Sequence, residues 1–388
     1  MPEGSPLLIL AGGIAGAGEA EGADWTRRDQ GPAAVLIQGG LRGQGGRAGR
    51  IKAIGQEALE AGAGGGLEQL DLRPAWLTPA PLDAHVHLWL RGDVRENLAA
   101  CQAAGVAAVR DLGNSPKQKM PSGLTDQPPL VKASGPGLCA QGPAKTWLGI
   151  ECQGPKSFAA AAKARIKAGA QLLKVFATGL LDFNQPGQVE HELAVSQEEL
   201  AAVKQVARRA GLSVAAHTSG EASARACLAA GMDSLEHGFF LERATLELMA
   251  QRGTAWIPTL AAVEVHAEDP EGRHDARVRE NLRIISQSQA KAMLMAEELG
   301  VNLVLGTDSG SYGLPHGRAV FREMEAWLRA GLKPRTVFEA ATARAARLMG
   351  LEGEVGVIAP GARAWLLATK SDPRENPLAM QEPVWRGF

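Results

Sequence analysis

Short apolar runs recur along the whole chain, and what separates them changes twice. Up to about residue 78 the runs Leu7 to Leu10, Ala34 to Gln38, Ile51 to Ile54 and Leu67 to Leu72 are divided by glycine-rich turns, which predicts strands; only Gln56 to Ala61 reads as helix. From Leu82 onward apolar runs alternate with helical stretches. The runs are Leu82 to Leu88, Ala107 to Leu112, Leu130 to Ala133, Leu172 to Ala177, Ser213 to His217, Asp233 to His237, Trp256 to Leu260 and Asn302 to Gly306. The clearest helices are Ser157 to Ala168, Ser196 to Ala210, Ala222 to Ala230, Arg277 to Leu299 and Gly317 to Arg329, with Ser196 and Glu199 spaced as a capping box. Eight strands alternating with helices over roughly 270 residues is the count and length of a (β/α)8 barrel. A doubly wound open sheet is the competing arrangement.

After Leu351 the chain returns to glycine-bounded β runs, at Gly356 to Ile358, Trp365 to Leu367 and Pro383 to Trp385. The fold class expected is therefore α/β: a (β/α)8 TIM barrel over residues 79–353, with a small β-sandwich built from both termini, 1–78 and 354–388. Gly39 to Arg50 is expected to be a flexible loop. The apolar helical stretch Pro334 to Met349 has a face to pack on the barrel or on a neighbouring copy, which leaves a homo-oligomer open.

Composition narrows the partners. With 41 basic against 42 acidic residues the net charge is −1, which argues against nucleic acid or an anionic membrane and favours a small-molecule substrate. No stretch approaches the ~20 apolar residues of a membrane span, and Leu7 to Ala11 lacks the basic flank of a signal peptide. The four cysteines, Cys101, Cys139, Cys152 and Cys227, lie far apart with no Cys-x-x-Cys, which predicts reduced structural thiols and a cytoplasmic location. The glycine clusters lack dinucleotide-binding spacing, and Ser288 to Lys291 fits Ser-x-x-Lys only inside a long helical pattern.

In a barrel, chemistry sits at the carboxyl ends of the strands. Those ends here carry His85 and His87, then Lys174, His217, His237 and Asp308, so four of the eight histidines fall on them. In a strand, residues i and i+2 share a face, so His85 and His87 converge; alone, the pair does not separate a metal site from hydrogen-bonded core histidines. Imidazole and carboxylate together suit zinc, and manganese, iron and cobalt accept similar ligands. Lys174 is the odd member, because an ammonium ion beside divalent cations is repelled. It points outward along the rim, is neutralised by burial, or is converted by carbon dioxide to an anionic carbamate able to bridge two metals.

Five local patterns taken together resemble the amidohydrolase superfamily, in its binuclear branch: Leu82-Asp83-Ala84-His85-Val86-His87, Leu173-Lys174-Val175-Phe176, Ala216-His217, Leu235-Glu236-His237-Gly238 and Gly306-Thr307-Asp308-Ser309-Gly310. They look closest to the branch of Xaa-Pro and Xaa-Lys/Arg peptidases and imidazolonepropionase-like proteins. The resemblance implies two divalent ions, zinc expected: His85, His87 and Asp308 on one, His217 and His237 on the other, the Lys174 carbamate and a hydroxide bridging them. It implies hydrolysis of an amide or related carbon–nitrogen bond by that hydroxide, with Asp308 as the catalytic proton carrier. Two departures blur the substrate. Gly142-Pro143-Ala144-Lys145 lacks the histidine of a Gly-Gly-His-Gly element, so that Lys145 is a candidate carboxylate contact or a surface lysine, and Thr218-Ser219-Gly220 lacks a tyrosine.

Asp182 and His191, in the loop after Lys174, and His316, after strand eight, are further candidate substrate contacts. His266 and His274 fall in a charged stretch and are expected to be solvent-exposed. Two other readings stay open: a mononuclear ring hydrolase or deaminase with Lys174 a bystander, and a catalytically silent metal- or ligand-binding barrel.

Overall fold

The computed structural model describes residues 6–16, 33–42, 48–64, 66–118, 128–142 and 144–388. Its strands are β1 (Leu7–Ala11), β2 (Gly13–Ile14), β3 (Ala33–Arg42), β4 (Ala48–Ile54), β5 (Glu68–Asp71), β6 (Trp76–Pro79), β7 (Leu82–Val86), β8 (Ala108–Asp111), β9 (Leu130–Ala133), β10 (Gly137–Ala140), β11 (Gly149–Cys152), β12 (Leu173–Phe176), β13 (Val214–Thr218), β14 (Ser234–His237), β15 (Ala255–Ile257), β16 (Asn302–Leu303), β17 (Leu366–Thr369) and β18 (Trp385–Arg386). Its helices are α1 (Gly55–Ala63), α2 (Val94–Ala103), α3 (Gly154–Lys167), α4 (Gln197–Arg209), α5 (Glu221–Ala230), α6 (Arg243–Arg252), α7 (Leu260–Glu268), α8 (Ala276–Glu298), α9 (Ala319–Ala330), α10 (Pro334–Ala341) and α11 (Ala343–Leu348).

From β7 to β16 the strands are parallel, and helices stand between β7 and β8 and between each pair of successive strands from β11 to β16, an α/β fold. β7, β8 and β9 form one sheet; β11, β10, β12, β13, β14, β15 and β16 are hydrogen-bonded in that order in another. Both faces of these strands are covered, so β7, β8, β12 and β14 are buried at every residue and their sequences read as apolar runs rather than alternations. The edge of β7 meets the segment after β16: Ala84 N–H donates to Leu305 O at 3.0 Å and His87 N–H to Ser309 O at 2.9 Å. The capping box at the start of α4 is present, Glu199 N–H donating to Ser196 Oγ and Ser196 N–H to Glu199 Oε2 at 2.8 Å.

β15 stops earlier than the apolar run Trp256 to Leu260. Thr259 has φ +52°, which turns the chain, and Leu260 opens α7 instead of closing the strand. Strand three is followed, across a glycine at φ +63°, by β10 and then β11, two short runs that apolar length did not single out.

β1 pairs antiparallel with β3 and parallel with β5, and β17 pairs antiparallel with β6. Leu7, Ile9, Val35, Ile37 and Leu77 share one apolar cluster with Ile358, Leu366 and Ala368, so both ends of the chain pack together. The expected loop from Gly39 to Arg50 is corrected in part: β3 runs to Arg42 and β4 resumes at Ala48, with register shifts between Leu36 and Arg42, while residues 43–47 lie outside the described residues. Phe338 and Ala340 of α10 and Ala345 of α11 are buried in the main core, and Leu305 N–H donates to Ala340 O at 3.1 Å, so this stretch packs against the parallel strands of its own chain. No helix among the described residues is long and apolar enough to cross a membrane.

Candidate metal centre

His85 and His87 emerge from the end of β7 on one face, as strand periodicity requires, and the backbone turn after Thr307 delivers Asp308 to them. Asp308 stands at φ +59°, a left-handed conformation unusual for a residue with a side chain. It is held there by its own N–H donating to His85 O at 2.8 Å and by Thr307, whose N–H and hydroxyl both donate to the buried Asp83 carboxylate, at 3.0 and 2.7 Å. Gly306 allows this approach, since a Cβ there would lie 2.8 Å from both the N and the Cβ of His85. Asp308 Oδ1 consequently lies 3.5 Å from His85 Nε2 and 3.3 Å from His87 Nε2.

Each histidine is tied down through its other nitrogen. His85 Nδ1 lies 2.8 Å from Glu236 Oε2, so the proton sits on Nδ1 and Nε2 keeps its lone pair; Nε2 is buried and without a hydrogen-bond partner. Glu236 is held in turn by Arg110, Nη2 to Oε1 at 2.6 Å, and by Ser234 Oγ at 2.6 Å, while Arg110 Nε donates to Ala84 O beside His85. His87 Nδ1 donates to Gly113 O at 3.0 Å. His237, at φ +67°, donates from Nδ1 to Thr259 Oγ1 at 2.8 Å, because that hydroxyl spends its own proton on Pro258 O. His217 donates from Nε2 to Gly179 O at 3.2 Å, which leaves Nδ1 with the lone pair. The His85 and His237 rings lie 4.9 Å apart, and those of His237 and His217 4.6 Å.

Electrostatics follow from burial. Desolvation holds His85 and His237 well below the usual imidazole range and brings His217 down to about 4, with Lys174 or neighbouring histidines adding to it. Burial acts against both charged forms at His87 and Asp308, but their mutual hydrogen bond and charges win, raising His87 and lowering Asp308. Lys174 Nζ is buried, has no hydrogen-bond partner and lies 5.2 Å from the Phe176 ring centroid; burial lowers its pKa to about 8. An amine brought into a buried cluster with nothing to bond is a vacancy in the polar accounting that a covalent change or an ion would fill.

These side chains suit a metal ion. Among the described residues, His85, His87 and Asp308 are the group of His, Cys, Asp or Glu whose ligand atoms all lie within 4.8 Å of one another. His87 and Asp308 form part of the floor of a cavity of about 760 Å³, to which Lys174, His217 and His237 also contribute, and His85 lies buried behind it. The size suits a drug-sized molecule.

The outer positions are sorted differently. Lys145 and Asp182 line the cavity mouth, Lys145 being 63 % exposed and 3.9 Å from Glu151. His191 is exposed and does not line the cavity, whereas Glu190 beside it does. His316 is buried behind the wall, its ring bonded to Ser309 Oγ at 3.1 Å and Leu90 O at 3.2 Å. The expectation that His266 and His274 face solvent is corrected. Both are partly buried, bonded to each other, and His266 lines the cavity, because the charged residues around them pair among themselves and turn outward. Sequence reasoning also passed over Arg110, Glu236 and Thr259, although a carboxylate inside the buried run Ser234–His237 is a signal that it needs a partner.

Residues 76–386 match the family model described as the Amidohydrolase family. Over 297 residues the chain is 29 % identical to Ochratoxinase of Aspergillus niger, an alignment covering 74 % of this chain and 58 % of that protein, so the chain spans less than two thirds of that relative. An uncharacterized protein of Mycobacterium tuberculosis is 28 % identical over 319 residues, 79 % of this chain and 82 % of the other. Among solved structures, a Xaa-Pro dipeptidase with bound methionine in its active site superposes with TM-score 0.75 at 23 % identity, over 98 % of this chain and 97 % of that one. The crystal structure of the A. niger ochratoxinase gives 0.73 at 23 % identity, over 99 % and 95 %.

Proposed function

We propose, from the premise that this chain belongs to the amidohydrolase family, that it hydrolyses a carbon–nitrogen bond, of an amide, peptide or cyclic amide, in a small molecule. The observation that carries this reading is the convergence of His85, His87 and Asp308, with His87, Asp308 and the partnerless Lys174 amine lining the bottom of one cavity. His85, His87 and Asp308 would hold one divalent ion, His217 and His237 a second, and Lys174, as a carbamate, both; zinc is the expected metal. When bound, the metals would activate a water for attack and polarise the scissile carbonyl.

The chain's own groups do the rest. Glu236 and Thr259 fix the tautomers of His85 and His237, so the lone pairs face the cavity without reorganisation. Asp308, held anionic, takes the proton of the attacking water and returns it to the leaving nitrogen as the carbon–nitrogen bond breaks. The frame we infer is a closed (β/α)8 barrel over residues 79–353, supported by the bonds between β7 and residues 305–309, with a β-sandwich of 1–78 and 354–388, supported by the apolar cluster shared by both ends. Four free, buried cysteines fit a reducing, cytoplasmic setting.

Metal analysis of purified protein, with a hydrolysis screen over N-acyl amino acids, dipeptides and neutral amides, tests the reading. Two ions per chain and a loss of turnover of about 10³-fold or more in Lys174→Ala are expected. No divalent ion, together with full activity of Lys174→Ala, would overturn it. The mononuclear alternative, a ring hydrolase or deaminase, is favoured by the tightness of the three-residue set, and one ion per chain with an active Lys174→Ala variant would select it.

A further inference from the structure

Above the metal-ligand floor, the cavity wall carries a histidine that the proposed chemistry does not use. His266, on α7, lines the cavity, and its ring is fixed on three sides. Nδ1 lies 2.9 Å from His274 Nε2, the Phe183 ring stands 5.1 Å away, and the Tyr312 ring lies 4.7 Å away at an interplanar angle of 32°. No hydrogen bond among the described residues takes its Nε2.

The supports of this ring are themselves built. Asp269, at φ +50°, accepts from Arg273 N–H at 2.7 Å, His274 N–H at 2.8 Å and the Tyr312 hydroxyl at 2.9 Å, and that hydroxyl accepts from Glu271 N–H at 3.0 Å. Tyr312 is the one tyrosine of the sequence. On the other side, Asn281 Nδ2 donates to Phe183 O at 3.0 Å. Next to Tyr312, Ser311 also lines the cavity, and its hydroxyl is out of solvent without a partner. A polar group and an open imidazole nitrogen therefore face a wall otherwise made of Phe183, Phe239 and Val263.

Charge decides what kind of group this wall takes. Among the described lining residues, the lysines are Lys174 on the floor and Lys145 at the mouth, and no arginine is present. Arg273 stacks on the Tyr312 ring at 4.2 Å but does not line the cavity, so a carboxylate pressed against His266 would be desolvated with no lining cation to pair with, which is costly, whereas a hydroxyl, amide or ring heteroatom needs only one or two hydrogen bonds. Burial keeps His266 neutral, with a pKa lowered to about 4.

We propose that His266 is a substrate contact: it receives a neutral hydrogen-bonding group carried on the aromatic part of an amide substrate, with the aromatic ring seated against Phe183 and Phe239. This rests on the amide-hydrolase reading and names its substrate class, uncharged hydroxylated aryl amides in preference to free-carboxylate dipeptides.

The test uses acetanilide and its ortho-, meta- and para-hydroxy derivatives with the wild type, His266→Ala and His266→Gln. Turnover is followed by release of the aniline, and binding to the same proteins is followed by calorimetry. A neutral hydrogen bond of about 1 kcal/mol corresponds to roughly a fivefold preference for at least one hydroxylated isomer, carried in KM and Kd rather than kcat. His266→Ala abolishes the preference while leaving metal content unchanged, and His266→Gln, whose amide reaches the Nε2 position, restores part of it. A preference that persists in His266→Ala, or no preference in the wild type for any isomer, overturns the proposal. Binding with the preference but no turnover of any member leaves the contact standing and sinks the hydrolase reading instead.

Discussion

Two histidine pairs stand around the same cavity, with one ring of each, His87 and His266, on its surface, and they are built in opposite ways. His85 and His87 are two residues apart on β7, and each spends one nitrogen on a separate acceptor, Glu236 and Gly113 O, so that both remaining nitrogens point at Asp308. His266 and His274 are eight residues apart across a turn, and they spend nitrogens on each other. The first arrangement presents two lone pairs to one point, which is what a metal ion needs. The second presents a single nitrogen from a rigid, half-apolar wall, which is what selection of a neutral substrate needs.

The largest expected effect separates the pairs by their backing. Replacing Glu236 with Gln takes the charge from behind His85 and frees the proton position on its ring. Loss of such backing typically costs 10- to 100-fold in metal affinity, and we expect that range for Glu236→Gln by competition with a chelating dye. His266→Ala should leave the same measurement unchanged. Because Glu236→Gln also strips buried Arg110 of its counter-charge, thermal unfolding of both proteins is measured alongside. Equal metal affinity in wild type and a folded Glu236→Gln would mean that the carboxylate only closes the Arg110 ion pair.

The first pair could be read from the chain because its geometry is local. A strand places i and i+2 on one face whatever surrounds it, so His85 and His87 declare themselves, and later apolar runs that carry Lys174, end in His217 and His237 or lead into Asp308 repeat the signal. The second pair depends on contacts between distant segments: Tyr312 reaching Asp269, Asn281 reaching Phe183. In the sequence it sits among Glu268, Glu271, Arg273 and Arg277, which reads as solvated surface. Likewise the run Trp256 to Leu260 carried no sign that Thr259 would turn left-handed and end the strand. Expectations about which side chains share the floor follow from periodicity; those about the wall, such as His191 and His316, do not.

A second difference is in acid. His85 is pulled well below its ordinary range and His87 is raised, so the two act with opposite sign on stability. His266 is lowered to about 4 by burial and by nearby His274 and Arg273, which outweigh the opposing charges of Asp308 and Asp269. The unfolded chain takes up this proton near pH 6.5, while the folded one resists until about 4, so stability is full above 6.5 and lost as pH falls through that window. Urea unfolding of chelator-treated protein between pH 4 and 7 should show a shallower acid limb in His266→Ala, by less than about 1.4 kcal/mol per pH unit, the limit for one proton. Parallel limbs in the two proteins would mean that His266 titrates freely and is not desolvated.

The smallest effect probes the support of the second pair without touching either ring nitrogen. Tyr312→Phe keeps the aromatic face against His266 and removes only the hydroxyl that donates to Asp269 and accepts from Glu271. Asp269 retains two backbone donors, from Arg273 and His274, so the turn should persist with a looser His274. A hydrogen bond to an ionised carboxylate is worth about 1.5–3 kcal/mol, and a softened wall should pass on only a small part of it, about a two- to threefold rise in KM for the preferred hydroxyanilide with kcat unchanged. Metal content should match the wild type, since no atom of Tyr312 contacts the floor histidines. A fall in kcat or in metal content would instead tie the outer wall to the Asp308 turn four residues away, and the two pairs would then have to be treated as one mechanical unit.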